Sequence, residues 1–395
     1  MTSRAVAQEQ IDAVLSGAAA AREVPGVVAM AASGDGPLYQ GAFGVRDLAS
    51  GTAMTLDTVC RIHSMTKAIT SVAAMRFVEE GKLSLDAPVP DIDPALGSPQ
   101  VLEGFDAVGA PKLRPAQRPI TLRHLLTHTA GFTYEYWNTD TLRYVDATGA
   151  PRMMSGRVAA LRRPLMFEPG EKWEYGINID WVGRIIEAVG GQSIDAVLRE
   201  RIFAPLGMED TGFAPSAEQR ARQASIHQRQ ADGSLAPQPL PAPSIPEFYA
   251  GGGGLHSTAS DYLTFLRMLL HEGELAGVRI LKPETVAAMN RNQIGDTPAG
   301  IMRSAIPEVS NDVDFFPGAP LRWGLGHMIN MEPGPNGRSA GTVGWAGLGN
   351  LYYWLDPVRR VTGVIMTQIL PFADPAAVRL YGAFERGVYA LTEAG

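Results

Sequence analysis

Strand patterning in this chain is confined to its two ends, and that placement limits the fold more than any other feature. Residues 26 to 48 (GVVAMAASGDGPLYQGAFGVRDL) alternate short apolar runs with turn signals and read as a β-hairpin. Strands return in RWGLGHMIN (322–330), GTVGWAGLGNLYYWLDP (341–357) and VTGVIMTQIL (361–370), which pair naturally as an antiparallel set. Between the ends the periodicity is helical, in SMTKAITSVAAMRFVEE (64–80), TLRHLLTHTAG, DWVGRIIEAVGG, SIDAVLRERI and SDYLTFLRMLLHEG, and AAVRLYGAFERGVYALTEA closes the chain as a helix. In the first of these, Ile69, Val72, Ala73 and Phe77 share one face and Gly81 marks the stop. The expectation is an α/β fold of the α+β type: one antiparallel sheet built from both chain ends, flanked by helices, with a mainly helical region inserted. Residues 1–85 and 320–395, with part of 160–220, would form the α/β domain, and 86–319 the insertion.

Composition narrows the function. With 395 residues, 45% hydrophobic and 19% charged, the chain can bury a large core. Its net charge of −7 without a Lys/Arg block gives no footprint for nucleic acid or an anionic membrane. At the N-terminus Val6, Ile11, Val14 and Leu15 follow helical spacing, while Glu9 and Asp12 interrupt any signal-peptide run, and no window is apolar enough to span a bilayer. The single cysteine, Cys60, suits a reducing cytoplasm and reads as a core thiol. The proline-rich stretch 234–254 and the irregular stretch 295–320 read as long loops, either surface connections or rims of a binding site.

Two serines compete for the role of nucleophile. Ser339 lies in GRSAG, which fits G-x-S-x-G, but that pattern needs a strand before it and a helix after it. Here a Pro/Gly turn precedes it and a strand follows, so it reads as a hairpin tip. Ser64 opens SMTK, an S-x-x-K at the first turn of a helix, where residues three apart share a face and Lys67 falls beside the hydroxyl. A lysine whose pKa is lowered by burial can take the proton that makes serine nucleophilic, and a helix N-terminus favours the developing alkoxide.

Downstream, FEPGEKWEYGINIDWVG adds a tyrosine in a telling setting. Together with DTVCRIHSMTKAIT, ITLRHLLTHTAGF, IFAPLGMEDTGF, GGGGLHSTASDYLTFLRMLL, GWAGLGNLYYWLDP and VIMTQIL, it gives the chain from about Pro25 onward a resemblance to the serine β-lactamase and penicillin-binding superfamily. The likeness is strongest to its carboxylesterase branch, the family VIII esterases similar to class C β-lactamases. It implies a β-lactamase-like fold with the active site between sheet and helical insertion. It also implies Ser64 as nucleophile, Lys67 beside it and Tyr175 as general base, its pKa lowered toward working pH by its neighbours.

The same resemblance places Trp345-Ala346-Gly347 where β-lactamases carry K-T-G and the esterase branch W-G-G, so Ala346 is a departure. The oxyanion hole would be the backbone N–H groups of Ser64 and Leu348. Replacing the lysine by an indole leaves an apolar wall with one N–H donor, and Asn178 stands one place later than in Y-x-N. Both changes point to uncharged esters. Phe132, Tyr134, Tyr136 and Trp137, with Tyr249, Phe315 and Phe316 from the long loops, are expected to line the ester pocket. His63 is expected to turn away from Ser64. His124 and His128 lack the Glu of H-E-x-x-H, and neither metal nor cofactor is called for. The expected activity is cytoplasmic hydrolysis of short-chain carboxylic esters through acyl-Ser64, acting on a small-molecule ester, with no nucleic-acid or membrane partner. A β-lactamase or D,D-peptidase, an acyltransferase and a non-catalytic binding module remain the alternatives.

Overall fold

Aromatic residues on successive positions of one strand show how the sheet is covered. In the computed structural model, which describes residues 3–239 and 246–394, Trp354 rests on Tyr381, Phe384 and Tyr389 while its neighbour Tyr353 rests on Tyr262. Adjacent side chains of a strand point to opposite faces, so helices pack on both sides. One layer is the pair Ser3–Ala20 (α1) and Pro375–Glu393 (α5), packed on each other; the other includes Ala259–Leu270 (α4). Two-sided cover explains why the central strands are apolar without alternation.

The sheet has eight strands: Gly26–Ser33 (β1), Gly36–Asp47 (β2), Thr52–Ala53 (β3), Leu321–Trp323 (β4), Met328–Asn330 (β5), Val343–Gly347 (β6), Leu351–Asp356 (β7) and Val361–Met366 (β8). Their order is β4-β5-β6-β7-β8-β1-β2-β3, antiparallel throughout. The seam between the chain ends runs from Val28 opposite Met366 to Ser33 opposite Val361. A sheet assembled from both ends is thus present as expected.

Helix Thr66–Glu79 (α2) is buried almost all round, from Thr66 to Met75 and at Phe77, rather than along one stripe. Its alanines and serine let neighbours approach closely, chiefly Asn178–Gly190 (α3). The intervening region holds further helices, among them Leu122–Leu126, Thr139–Thr148 and Pro283–Met289. It also holds an unforeseen hairpin, Gln100–Phe105 with Pro111–Pro115, whose polar strands lack a clear period of two. The SIDAVLRERI helix widens to π geometry over Arg199–Phe203. Of the loop expected at 234–254, Leu235–Pro237 pairs with His227–Arg229, and residues 240–245 lie outside the described residues. Within the 295–320 stretch only isolated bridges form, such as Met302 with Val313. Cys60 is a buried free thiol whose pKa burial pushes up to about 12. Among the described residues no helix is long and apolar enough to cross a membrane.

Candidate active site

Ser64 is lifted into place by a corner in the backbone. The short strand Cys60–Arg61, paired with His256–Ser257, runs into a 3-10 turn at His63–Met65 that feeds α2. Ser64 therefore stands just ahead of the α-helix rather than inside its first turn. His63 adopts φ +46°, the left-handed region that a non-glycine side chain occupies at a cost on the order of 1 kcal/mol. The corner is pinned from α4, where the Tyr262 hydroxyl donates to the Met65 carbonyl at 3.0 Å. His63 makes no hydrogen bond to Ser64 among the described residues, and burial holds its ring well below the usual histidine range.

Lys67 follows one turn on and is 1% exposed. Its ammonium has three donors and finds three acceptors: Ser64 Oγ at 3.3 Å, Tyr134 Oη at 3.1 Å and the Gly252 carbonyl at 2.6 Å. Burial lowers its pKa from 10.5 to about 8, against the opposing pull of Asp180. Asp180 was not singled out by sequence, yet it ties the site together. Its carboxylate accepts from the Gly252 N–H at 2.8 Å and from the Tyr134 hydroxyl at 3.3 Å, and its own pKa is raised by burial, with Lys67 acting the other way. The glycine run lets this happen, since a Cβ on Gly252 would lie 2.5 Å from Asp180 Oδ2. The available signal was one acid on the otherwise buried apolar face of α3.

Tyr175 sits in the loop before α3, with its hydroxyl accepting from Trp345 Nε1 at 2.9 Å and in hydrogen-bond contact with Ser64. The Lys67 nitrogen lies 4.8 Å from its ring centre. The expectation of a lowered pKa is corrected here: burial raises it, and the bonds from Ser64 and Trp345 only offset part of that effect. The phenol stays protonated at neutral pH. The Trp345 N–H, expected to face substrate, is spent on Tyr175.

Asn178 explains its own displacement. Its amide donates to the Phe132 carbonyl at 2.9 Å and meets His128 Nδ1 at 3.0 Å, deep in the core and away from the nucleophile. His128 Nδ1 also accepts from the Gly176 N–H, and its ring lies 4.6 Å from that of Tyr175. His128 is kept neutral by burial. His124 caps its own short helix through the Thr121 N–H, so the two histidines serve different partners. Gly176 permits the packing, because a Cβ there would collide with the Phe132 carbonyl.

On the opposite wall, Trp345 and Ala346 are buried in β6, and Gly347 packs so closely on the Ile62 carbonyl that a Cβ would not fit. That contact sets the end of β6, followed by Leu348, against the turn carrying Ser64. The aromatic residues divide. Tyr134 and Trp137 surround Tyr175, both at 5.5 Å, Tyr136 stacks on Tyr134, and Phe315 packs edge-on against Trp345. Phe132 is fully buried beside Trp181 and offers its carbonyl rather than its ring, Tyr249 stacks on Phe213, and Phe316 lies over the Arg338 guanidinium. Ser339 occupies the connection between β5 and β6, where its N–H donates to Asp356 at 2.8 Å and its neighbour Arg338 pairs with Glu385. GRSAG is a hairpin connection anchored by an ion pair.

A serine hydroxyl, a buried amine and a buried phenol thus meet at one point between sheet and helices. The family model described as Beta-lactamase matches residues 11–387. The chain belongs to the beta-lactamase family. Within it, the chain is 32% identical over 394 residues to monacolin J acid methylbutanoyltransferase of Aspergillus terreus, covering 95% of this chain and 94% of that protein. It is 30% identical over 381 residues to lovastatin esterase of Penicillium rubens, covering 93% and 94%. A simvastatin synthase structure from Aspergillus terreus superposes with TM-score 0.84 at 31% identity, over 99% of this chain and 97% of that one. These beta-lactamase-family relatives are named for acyl transfer and for ester cleavage, which supports an ester-acting enzyme.

Proposed function

We propose that this chain is a serine carboxylesterase of the family VIII kind, cleaving short-chain carboxylic esters through acyl-Ser64. The observation that carries the reading is the Lys67 amine, 3.3 Å from Ser64 Oγ and shifted by burial to about 8. In its neutral form Lys67 takes the Ser64 proton as Oγ bonds to the ester carbonyl carbon. The oxyanion forms against the backbone N–H groups of Ser64 and Leu348. As the carbon–oxygen bond to the alcohol breaks, Tyr175 donates its phenolic proton to the leaving oxygen and recovers one from Lys67. Water then enters, gives up a proton by the same route, and releases the acid with Ser64 restored. The lone buried cysteine suits a reducing cytoplasm.

Fluorophosphonate labelling with peptide mapping, alongside p-nitrophenyl butyrate hydrolysis, tests this. One adduct on the SMTK peptide and loss of turnover in Ser64→Ala are expected; wild-type turnover in that variant refutes the reading. Acyl transfer is a second reading, favoured by the relatives named as transferases. Ester products formed in the presence of an added alcohol separate it from hydrolysis. Trp345 in place of a cation weighs against β-lactams, and nitrocefin turnover exceeding ester turnover would reverse that order.

A further inference from the structure

A cavity of about 530 Å³ opens between the last turn of α4, Gly34 in the turn joining β1 to β2, and a small hairpin made of Glu274–Leu275 and Val278–Arg279. Helix α4 touches the Ser64 corner through Tyr262 in its first turn and reaches this cavity further along, with Thr264, Arg267 and His271. Spacings of three and four place those three on one side of the helix. The other side, including Tyr262, Phe265, Leu266 and Leu269, is buried. The hairpin and the β1–β2 turn rise on either hand and convert what would be an ordinary outward helix face into a walled recess.

The lining is cationic in a chain whose net charge is −7. Arg267 and His271 come from α4 and Arg279 from the hairpin, while Arg360 lies across Gly34, where a Cβ would stand 2.6 Å from its Nε. They are scattered in sequence, so no basic block announces them. The one carboxylate of the lining, Glu274, is taken by Arg279, which also donates to the Leu281 carbonyl at 3.0 Å. The side chains of Arg267, His271 and Arg360 make no hydrogen bond or ion pair among the described residues, and Arg267 Nε is buried without a partner. A helix C-terminus attracts a cation, which accounts for Arg267 or His271 taken alone. Arginines brought to the same recess from two further elements, with donors unspent, repel one another until an anion sits between them.

A phosphoryl group fits this lining better than a carboxylate. It carries close to two negative charges at neutral pH and three acceptor oxygens that point in different directions, so guanidinium forks from separate elements can each take one. The two oxygens of a carboxylate lie in one plane and satisfy one fork. The cavity is larger than a bare phosphate fills and lies within the range of small-molecule sites, and Leu275 and Ala276 leave part of it apolar. We propose that this cavity binds the phosphate of a phosphorylated small molecule, with Arg267 as its principal partner and Arg360 and His271 beside it. The lining includes none of Ser64, Lys67 and Tyr175, and the proposal stands independently of the acyl-Ser64 reading.

Titration calorimetry on the full chain, in phosphate-free buffer at constant ionic strength, compares phenyl phosphate, inorganic phosphate and benzoate. Phenyl phosphate should bind saturably and about tenfold or more tighter than benzoate, with inorganic phosphate between them. Arg267→Met, which keeps the stem and removes the fork, should weaken phenyl phosphate by about tenfold or more, and Arg360→Met, at an exposed position, by about threefold or more. Both variants should hydrolyse p-nitrophenyl butyrate within about twofold of wild type, which reports that they fold. Enzyme blocked at Ser64 by a fluorophosphonate should bind phenyl phosphate as before. No saturable binding of phenyl phosphate below about 10 mM, equal affinity for benzoate, or unchanged affinity in both arginine variants overturns the assignment. Loss of binding in the blocked enzyme places the ligand at Ser64 and overturns it as well. Inorganic phosphate binding as tightly as phenyl phosphate overturns the phosphorylated small molecule in favour of the free ion.

Discussion

If Lys67 takes the first proton, the pH profile of the enzyme is set by a competition visible in the structure. Burial pushes the amine from 10.5 to about 8, while the Asp180 carboxylate favours the ammonium and holds it up. That fall corresponds to about 3 kcal/mol against the charged form. At pH 7 roughly a tenth of the enzyme would then carry the neutral amine, compared with roughly one molecule in 3,000 at the unshifted value. The kcat/KM for p-nitrophenyl butyrate should therefore climb about tenfold per pH unit below 7 and level off above about 8, after subtraction of spontaneous hydrolysis. Asp180→Asn removes the opposing charge and leaves burial alone, so the inflection must move to lower pH. Near-UV circular dichroism and melting temperature would establish that the variant folds. A flat profile between pH 6 and 9, or an inflection that stays or rises in Asp180→Asn, refutes Lys67 as the titrating base.

Three further outcomes follow from the packing. Trp345→Phe removes the N–H that holds the Tyr175 hydroxyl at 2.9 Å while keeping most of the ring volume, so kcat should drop roughly tenfold with little change in melting temperature. Gly176→Ala places a methyl against the Phe132 carbonyl and displaces Tyr175; an error of about 1 Å there should lower turnover roughly a hundredfold, read alongside far-UV circular dichroism. Glu135→Ala strands the buried Arg163 guanidinium, and urea unfolding should report a loss of about 3–5 kcal/mol.

Local patterns carried the parts of this molecule that depend on neighbours in sequence. Turn-bounded strands at both ends foretold the shared sheet, and the three-residue spacing of Ser64 and Lys67 foretold their contact, because strand period and helical pitch are local properties. The same logic demoted Ser339, whose flanks fit a hairpin. Tyr175 could be located through the motifs around it, but the direction of its pKa could not, since that follows from burial by Trp345, Trp137 and Tyr134, residues far away in the chain. Asp180 carries no distinctive local signal, since an acid in a first helical turn ordinarily answers the helix dipole. Gly252 acts through its backbone, which carries no side-chain signature.

The seam between β1 and β8 also orders events during synthesis. A ribosome delivers β1, β2 and the Ser64 helix first, yet β1 cannot complete its pairing until residues 361–366 have emerged, after nearly all the rest of the chain. Until then one edge of an apolar strand, buried from Gly26 to Ala32 in the finished molecule, stands open. Pairings so distant in sequence close slowly, and an open apolar edge is where nascent chains stick to one another. The wall that faces the nucleophile is itself late, since Gly347 of β6 packs on the Ile62 carbonyl, so a chain cut before residue 343 carries Ser64 without that wall.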